Sequence, residues 1–435
     1  MNIFILMYNF PPIGAGRGIA WTKFCSKLSE KYNVTVFTID PSETDPLFNF
    51  SKFDLITNEY KVIRTNPGFL YKKIYPRKKE RLSKTEDGKR KKRTTKVLLK
   101  KFYTVFFKNI FFPDRMILWN KYLWKAVLKE SKFQKPNLII SVGFPFSTHL
   151  LAAKLKANFE TKLILDYGDP WFFNPSKETI PPFRRRLDKL VEYKVIKKAD
   201  FITVTTRETL NKYVESFPEL ENKIDVVSQG VDTSIYRDTK KVSIEEVLNK
   251  KVITMFYSGL FYEDIRNPIT FFKALQNFDI YKKFGIKMRI IIAGKMEQYV
   301  IDAANLVNNE YIEIVFLGNI NFSQVVDYQK KSDILLFFGN LGSVQVPGKI
   351  FEYLATNRPI FSVGDKNDYS TKLIIENERG MVSSYNQHEI LKNLQLFLSS
   401  YIYGEFTHMK IVYEFDWDLL SSKYLKIVEE IMEDF

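Results

Sequence analysis

Val346-Pro-Gly-Lys-Ile-Phe-Glu-Tyr-Leu-Ala355 turns a loop into a helix within two residues. Pro347-Gly348 is a turn signal, and the residues after it are helical in composition, with Ile350, Phe351 and Leu354 spaced for a core. The first amides of a helix have no partner inside it and carry its positive end, which suits a phosphate. Gly348 has no Cβ, so an anion can come close to the backbone. Lys349 adds a full charge beside those amides. Glu352 lies one turn further along the same face, where a carboxylate can accept hydrogen bonds from a ribose diol. The same spacing equally describes a plain capped helix with a Lys349–Glu352 ion pair above an apolar core.

The chain around this stretch has 435 residues, enough for two or three domains. Cys25 is the single cysteine, which excludes an internal disulfide and a thiolate metal site. His149, His388 and His408 show no metal-ligand spacing. Metal-independent chemistry with no cofactor is the expectation. Met1–Tyr8 is a short apolar run that leads straight into a glycine-rich loop, so it reads as a strand and not as a leader. No apolar stretch approaches the ~20 residues that span a bilayer, and the expected location is cytoplasmic.

The formal net charge is +16 and it is unevenly spread. Between Lys72 and Lys108, Arg77, Lys78, Lys79 and the run Lys89–Arg93 are opposed only by Glu80, Glu86 and Asp87. Lys96–Phe112 sets Leu98, Phe102, Val105, Phe106 and Ile110 at helical spacing among lysines. A basic amphipathic segment of that kind is drawn to anionic headgroups. A solvated charged loop ahead of a core helix fits the same residues. The sequence carries no nucleic-acid recognition module.

Short apolar strands alternate with helical stretches, the pattern of βα units around a parallel sheet. Asn2–Tyr8 and Asn33–Ile39 are expected strands flanking a helix at Ile19–Tyr32. Between them Asn9–Gly18 carries Gly14, Gly16 and Arg17 at a strand end, where open α/β sheets collect ligands. Its spacing is not the dinucleotide fingerprint. Lys61–Thr65, Asn137–Val142, Thr161–Leu165, Phe201–Thr205 and Ile224–Ser228 continue the strand series, and Phe183–Lys198 is a strongly basic helix. Asp166-Tyr-Gly-Asp-Pro-Trp171 sets two carboxylates and an aromatic at a strand end, either as a site or as a turn braced by its own aspartates. The polar stretch from Gln229 to Lys251 reads as a linker. A second series runs through Val252–Ser258, Met288–Ala293, Tyr311–Leu317, Ile334–Phe338 and Pro359–Val363, and Trp417–Phe435 reads as one amphipathic helix.

Taken together these residues resemble family 4 of the glycosyltransferases, and in particular members that build bacterial surface polysaccharide. The most specific match is Val346–Ala355 with Arg358-Pro-Ile360 after it. Phe10–Gly16, Asp114 with Trp119, Ser141–Ser147, Asp166–Trp171, Gly259, Arg266 and Asp333 resemble other stretches of that family. The resemblance implies the GT-B fold, an α/β architecture of two Rossmann-like domains facing across a cleft. Residues 1–235 would form the acceptor-side domain, with the basic insertion at about 72–108. Residues 250–410 would bind the nucleotide sugar, and residues 411–435 would cross back to the N-terminal domain. It implies further that Gly14, Gly16, Gly259, Arg266, Pro347, Gly348, Lys349 and Ile350 surround the donor diphosphate, and that Glu352 takes the ribose. Arg17, Asp166 and Trp171 would lie on the acceptor side, and Asp169, Arg266 and Lys349 would act in catalysis.

The implied reaction moves a sugar, with retention of configuration, from a nucleotide-diphosphate sugar to a saccharide or lipid-linked saccharide of capsule, O-antigen or exopolysaccharide. Preorganised amides and cations would meet the leaving-group charge without a metal. No carboxylate is placed as a covalent nucleophile, so a front-face mechanism is expected. The protein would sit on the inner face of the plasma membrane, held on anionic lipid by residues 72–108, with no nucleic-acid partner. Three positions depart from the family. Val344 stands where a first glutamate touches the donor sugar, Gln229 where an asparagine is usual, and Gly168 where the subgroup has an arginine. Val344 supports a second expectation, a GT-B scaffold that binds a sugar nucleotide without turning it over.

Overall fold

Continuous apolar runs become the central strands: β1 (Asn2–Met7) and β4 (Leu138–Gly143) are buried almost throughout, as strands covered on both faces are. The computed structural model describes residues 1–14, 17–75, 111–174, 180–240, 243–341, 346–406 and 409–433. Gly16, Val344 and the basic segment from Pro76 to Lys108 lie outside the described residues.

Around β1 and β4, the strands β2 (Asn33–Ile39), β3 (Lys61–Thr65), β5 (Lys162–Tyr167), β6 (Phe201–Val204) and β7 (Ile224–Val226) form a seven-stranded sheet ordered β3-β2-β1-β4-β5-β6-β7. A second sheet is built from β8 (Val252–Ser258), β9 (Lys287–Ala293), β10 (Ile312–Gly318), β11 (Ile334–Phe338), β12 (Ile360–Val363) and β13 (Gly380–Ser383), ordered β10-β9-β8-β11-β12-β13. Strand pairing is parallel in both sheets. Each order runs outward from its first strand and then reverses, at β1/β4 in one sheet and at β8/β11 in the other. Ligands of doubly wound folds settle beyond the carboxyl ends of strands at such a reversal.

The chain divides into two units, Met1–Ser228 with Asp418–Phe435, and Gln229–Trp417. The stretch read as a linker is folded into the second unit. Tyr236 is fully buried, Val247 nearly so, and Ser243 with Glu246 forms a capping box on the helix Ile244–Leu248. Its polar surface residues conceal two buried anchors. The helix Trp417–Glu433, from Asp418 onward, belongs to the first unit. Its Tyr424 ring stacks on Phe24 at 5.0 Å and meets Trp21 edge-on at 5.1 Å. No described helix is long and apolar enough to cross a membrane.

Candidate functional site

At the β8/β11 reversal the backbone is tightly turned. Gly294, just after β9, has φ +130, and a Cβ there would stand 2.3 Å from the Gly259 carbonyl oxygen. Gly259 itself has φ +156, and its amide donates to the Ala293 carbonyl at 3.0 Å. The turn therefore needs glycine at both positions, and the Gly259 amide is engaged by the sheet edge. Tyr262 and Arg266 then exchange backbone hydrogen bonds, which folds Arg266 back. Its Nε and Nη2 donate to Asn340 Oδ1 at 3.0 and 2.7 Å, just past β11, and its Nη1 donates to the Leu260 carbonyl. Among the described residues no carboxylate forms an ion pair with Arg266.

The helix Lys349–Leu354 comes after the same strand. The Ile350 amide donates to the Pro347 carbonyl at 3.1 Å and the Phe351 amide to Gly348 at 3.2 Å. That leaves the amides of Gly348 and Lys349 without a backbone acceptor among the described residues. Gly348 is exposed, and a Cβ built on it would meet nothing within 4 Å. Ile350 does not fit a donor contact: its side chain is fully buried in the core and its amide is engaged, because the apolar stripe of this short helix faces inward. Lys349 Nζ donates to both Glu352 oxygens, at 3.0 and 2.8 Å. Glu352 Oε2 also accepts from Gln329 Nε2 at 2.9 Å, and Gln329 Oε1 accepts from Tyr236 Oη at 2.7 Å. The ion pair and the apolar core of a plain capped helix are thus both present, on a carboxylate whose direction is set by a buried chain.

The sequence pattern does not mark Gln329 or Tyr236 as functional. The available signal is a glutamine continuing the buried stripe of Val325 and Val326. Asp368 is likewise unmarked. It caps the helix Tyr369–Glu376 through the Ser370 amide, beyond β12, and burial pushes its carboxyl up to about 6.

In the first unit, three expected acceptor contacts turn out to be structural. Strand β5 runs through Tyr167 instead of ending at Leu165, and this carries Asp166 into the interior, fully buried. Arg17 Nε and Nη2 grip its two oxygens at 2.9 and 2.7 Å, Trp21 Nε1 donates at 2.8 Å and Thr203 Oγ1 at 2.6 Å. Burial favours the neutral acid, but Arg17 and these donors outweigh it and hold the carboxyl below its usual range. Arg17 also donates to the Ser228 carbonyl at 3.0 Å. Trp171 is fully buried, stacked on Phe146 at 5.2 Å, with its Nε1 on Asp188 at 2.8 Å. The Gly14 amide is engaged by the Leu47 carbonyl at 2.8 Å. Asp169 sits half-buried just past β5.

A different recess opens at the carboxyl ends of β2 and β3. It is a cavity of about 280 Å³ lined by Asp40, Ser42, Arg64, Thr65, Tyr71 and Lys72, among others. The Arg64 guanidinium is anchored on carbonyls, Pro11 at 2.6 Å and Ile39 at 3.3 Å. Tyr71 Oη donates to Asp45 and accepts from the Ser42 amide, and Trp119 Nε1 donates to Thr65 Oγ1. The walls are therefore fixed by hydrogen bonds behind them. Arg64 in an otherwise β-forming run is the available sequence clue.

His149 lies beneath the loop after β4. Its Nδ1 is 2.8 Å from Ser141 Oγ, and its Nε2 is buried under Gly143 without a partner among the described residues. Burial holds the ring neutral, with its pKa lowered from 6.5 to about 3. The unfolded chain therefore takes up the proton first. Stability from this group is complete above 6.5 and declines as pH falls toward 3, by up to about 1.4 kcal/mol per pH unit. Urea unfolding at about pH 7 and about pH 5 should show that slope in the wild type and a flatter one in His149→Gln. Equal slopes in the two proteins would exclude His149 as the source.

Two doubly wound parallel sheets in these strand orders constitute the GT-B glycosyltransferase fold. Sucrose-phosphate synthase from Thermosynechococcus elongatus shares it with a TM-score of 0.63 and 13% identity over 100% of both chains. WaaG, a glycosyltransferase involved in lipopolysaccharide biosynthesis, shares it with a TM-score of 0.57 and 11% identity, over 98% of this chain and 99% of that one. In sequence, 305 residues are 20% identical to a probable sucrose-phosphate synthase from Thermosipho melanesiensis, covering 66% of this chain and 65% of that protein. No family model matches the chain.

Proposed function

We propose that this protein is a retaining, metal-independent glycosyltransferase that moves a sugar from a nucleotide-diphosphate sugar to a lipid-linked or free saccharide in bacterial surface-polysaccharide synthesis. The carrying observation is that Arg266 follows β8, and Gly348, Lys349 and Glu352 follow β11, the two strands at which the order of the second sheet reverses. In this reading the diphosphate takes Lys349 from Glu352 and lies on the open Gly348 and Lys349 amides. Glu352, still aimed by Gln329, then accepts from the ribose diol. Arg266, without a carboxylate partner among the described residues, supplies the second cation for charge developing on the leaving diphosphate. The leaving phosphate helps deprotonate the acceptor hydroxyl on the same face, and Asp169 orients that hydroxyl. The polar cavity beside Arg64 and Lys72 receives the acceptor, in place of the buried Arg17, Asp166 and Trp171. The protein works in the cytoplasm on the inner membrane face.

A second reading has support from the relative and from the two cations of that cavity: the acceptor is a soluble sugar phosphate, as the name sucrose-phosphate synthase suggests for the relative. Transfer assays with a panel of sugar nucleotides, offered lipid-linked and phosphorylated soluble acceptors in turn, separate the two. Activity should survive chelator, and Glu352→Ala should raise the donor KM at least about tenfold, the scale of one charge-assisted hydrogen bond. Tight donor binding with no turnover on any acceptor would instead favour a sugar-nucleotide-binding scaffold. Near-normal kinetics in Glu352→Ala would remove the site assignment.

A further inference from the structure

The edge strands of the two sheets are β3, β7, β10 and β13, and they are not equally protected. A bare strand edge pairs readily with another strand, and folded proteins blunt it with charges, short length or a covering element. β3 carries Lys61 and Arg64, the latter folded onto the Ile39 and Pro11 carbonyls. β7 is three residues long, and Lys423 of the last helix donates to its Val226 carbonyl at 2.8 Å. β13 is four residues long and starts at Gly380, with φ +147. β10 is seven residues long, Ile312-Glu-Ile-Val-Phe-Leu-Gly318, without lysine, arginine or proline. Its Ile314, Val315, Phe316 and Leu317 are only half-buried. An irregularity in register touches just its end, and Ile312–Phe316 runs in step with Met288–Ile292 of β9.

The ladder fixes which main-chain groups of β10 are left over. The Met288 amide donates to the Tyr311 carbonyl at 2.8 Å, and Ile314 stands beside Ile290. Alternate residues of a parallel strand bond the same neighbour, so Glu313 and Val315 turn their N–H and C=O toward β9. The N–H and C=O of Ile314 and Phe316 then point outward, where no strand pairs with them among the described residues. The Ile312 carbonyl points the same way. These groups match a copy of themselves. Antiparallel pairing about Ile314 lets the two Ile314 residues exchange both hydrogen bonds, and sets the Phe316 amide against the Ile312 carbonyl of the second copy. It also sets Glu313 opposite Val315, so no like charges meet. Glu313 is the only charge on the strand, and Arg289 of β9 already holds it at 2.6 Å. This self-match selects a second copy of the chain as the occupant of the edge.

We propose that β10 pairs antiparallel with β10 of a second copy about Ile314, joining the second sheets of two chains into one. The interface is a strand edge and little more, so the dimer is weak and depends on concentration. It needs neither donor nor acceptor and stands apart from the reading under Proposed function. The test is sedimentation velocity of the full chain from about 1 µM to about 100 µM. The sedimentation coefficient should rise toward that of a dimer, and amide exchange at Ile314 and Phe316 should slow over the same range. Ile314→Pro removes an amide that the β9 ladder does not use, so it should keep the fold and weaken dimerisation about tenfold or more. Val315→Lys would face Glu313 of the second copy and should tighten the dimer at least about threefold, and Val315→Glu should loosen it as much. A lesion in the fold would move both Val315 variants in the same direction, so their opposite signs decide the matter even where Ile314→Pro fails to fold. A wild-type chain that stays monomeric at about 100 µM overturns the proposal and leaves the edge to a strand of another protein. A dimer that a folded Ile314→Pro leaves intact overturns it, as does one that responds alike to Val315→Lys and Val315→Glu.

Discussion

Asp166→Ala is expected to cost the first unit about 3–5 kcal/mol, which for a domain of ordinary stability brings unfolding close to working temperature. The loss is larger than that of one hydrogen bond because four donors converge on this carboxylate: Arg17 Nε and Nη2, Trp21 Nε1 and Thr203 Oγ1. Alanine leaves a guanidinium buried with one remaining acceptor, the Ser228 carbonyl, and strands two neutral donors beside it. Asp166→Asn should fall between, since an amide keeps one acceptor but drops the charge. The folded carboxyl titrates below its unfolded value, so its contribution is complete above the unfolded pKa of 3.8 and is lost as pH falls from there through the folded value. Tryptophan fluorescence reports mainly on the first unit, because four of the five tryptophans, Trp21, Trp119, Trp124 and Trp171, lie there and Trp417 belongs to the second. A variant as stable as the wild type but inactive would restore Asp166 to the acceptor side and remove its structural role.

The difference between Asp166 and Glu352 shows where sequence reading carries and where it stops. Strands β2, β8 and β11 have the bounds that apolar runs between turn signals suggest, because a doubly covered strand tolerates little else, and the half-exposed edge strand β3 has the expected bounds as well. The turn-to-helix step at Gly348 is equally legible, since Pro-Gly before a 3.6-period stripe has few other foldings. Local pattern misplaces Asp166 because an acid at a strand's end looks like a turn residue. Its burial depends on Arg17, 149 positions away, which local pattern does not reveal. The Gln329–Tyr236 brace behind Glu352 is hidden for the same reason, as is the Arg64 cavity, whose walls come from separate βα loops. Local physics sets the elements. Long-range hydrogen bonds decide which polar residue works inside the fold and which faces a ligand.

Lys349→Ala should lower kcat/KM about a hundredfold, mostly in kcat, and Arg266→Ala should do the same. Charge on the leaving diphosphate grows as the glycosidic bond lengthens, so a cation there stabilises the transition state more than the bound donor. The Gly348 and Lys349 amides survive the Lys349 change and keep part of the binding, which is why KM should move less. Lys349→Ala also leaves Glu352 without the ammonium that neutralises it at 2.8 Å, and a bare carboxylate repels a diphosphate. That predicts coupling: Lys349→Ala/Glu352→Ala should be clearly better than the product of the two single losses. Arg266 lies outside this pair, on Asn340, and its loss should combine with that of Lys349 nearly additively or worse. Steady-state kinetics with the best donor from the panel decides it. A Lys349→Ala enzyme within about twofold of wild type in kcat/KM would mean that no diphosphate charge develops beside this ammonium, and the donor site would have to be sought elsewhere.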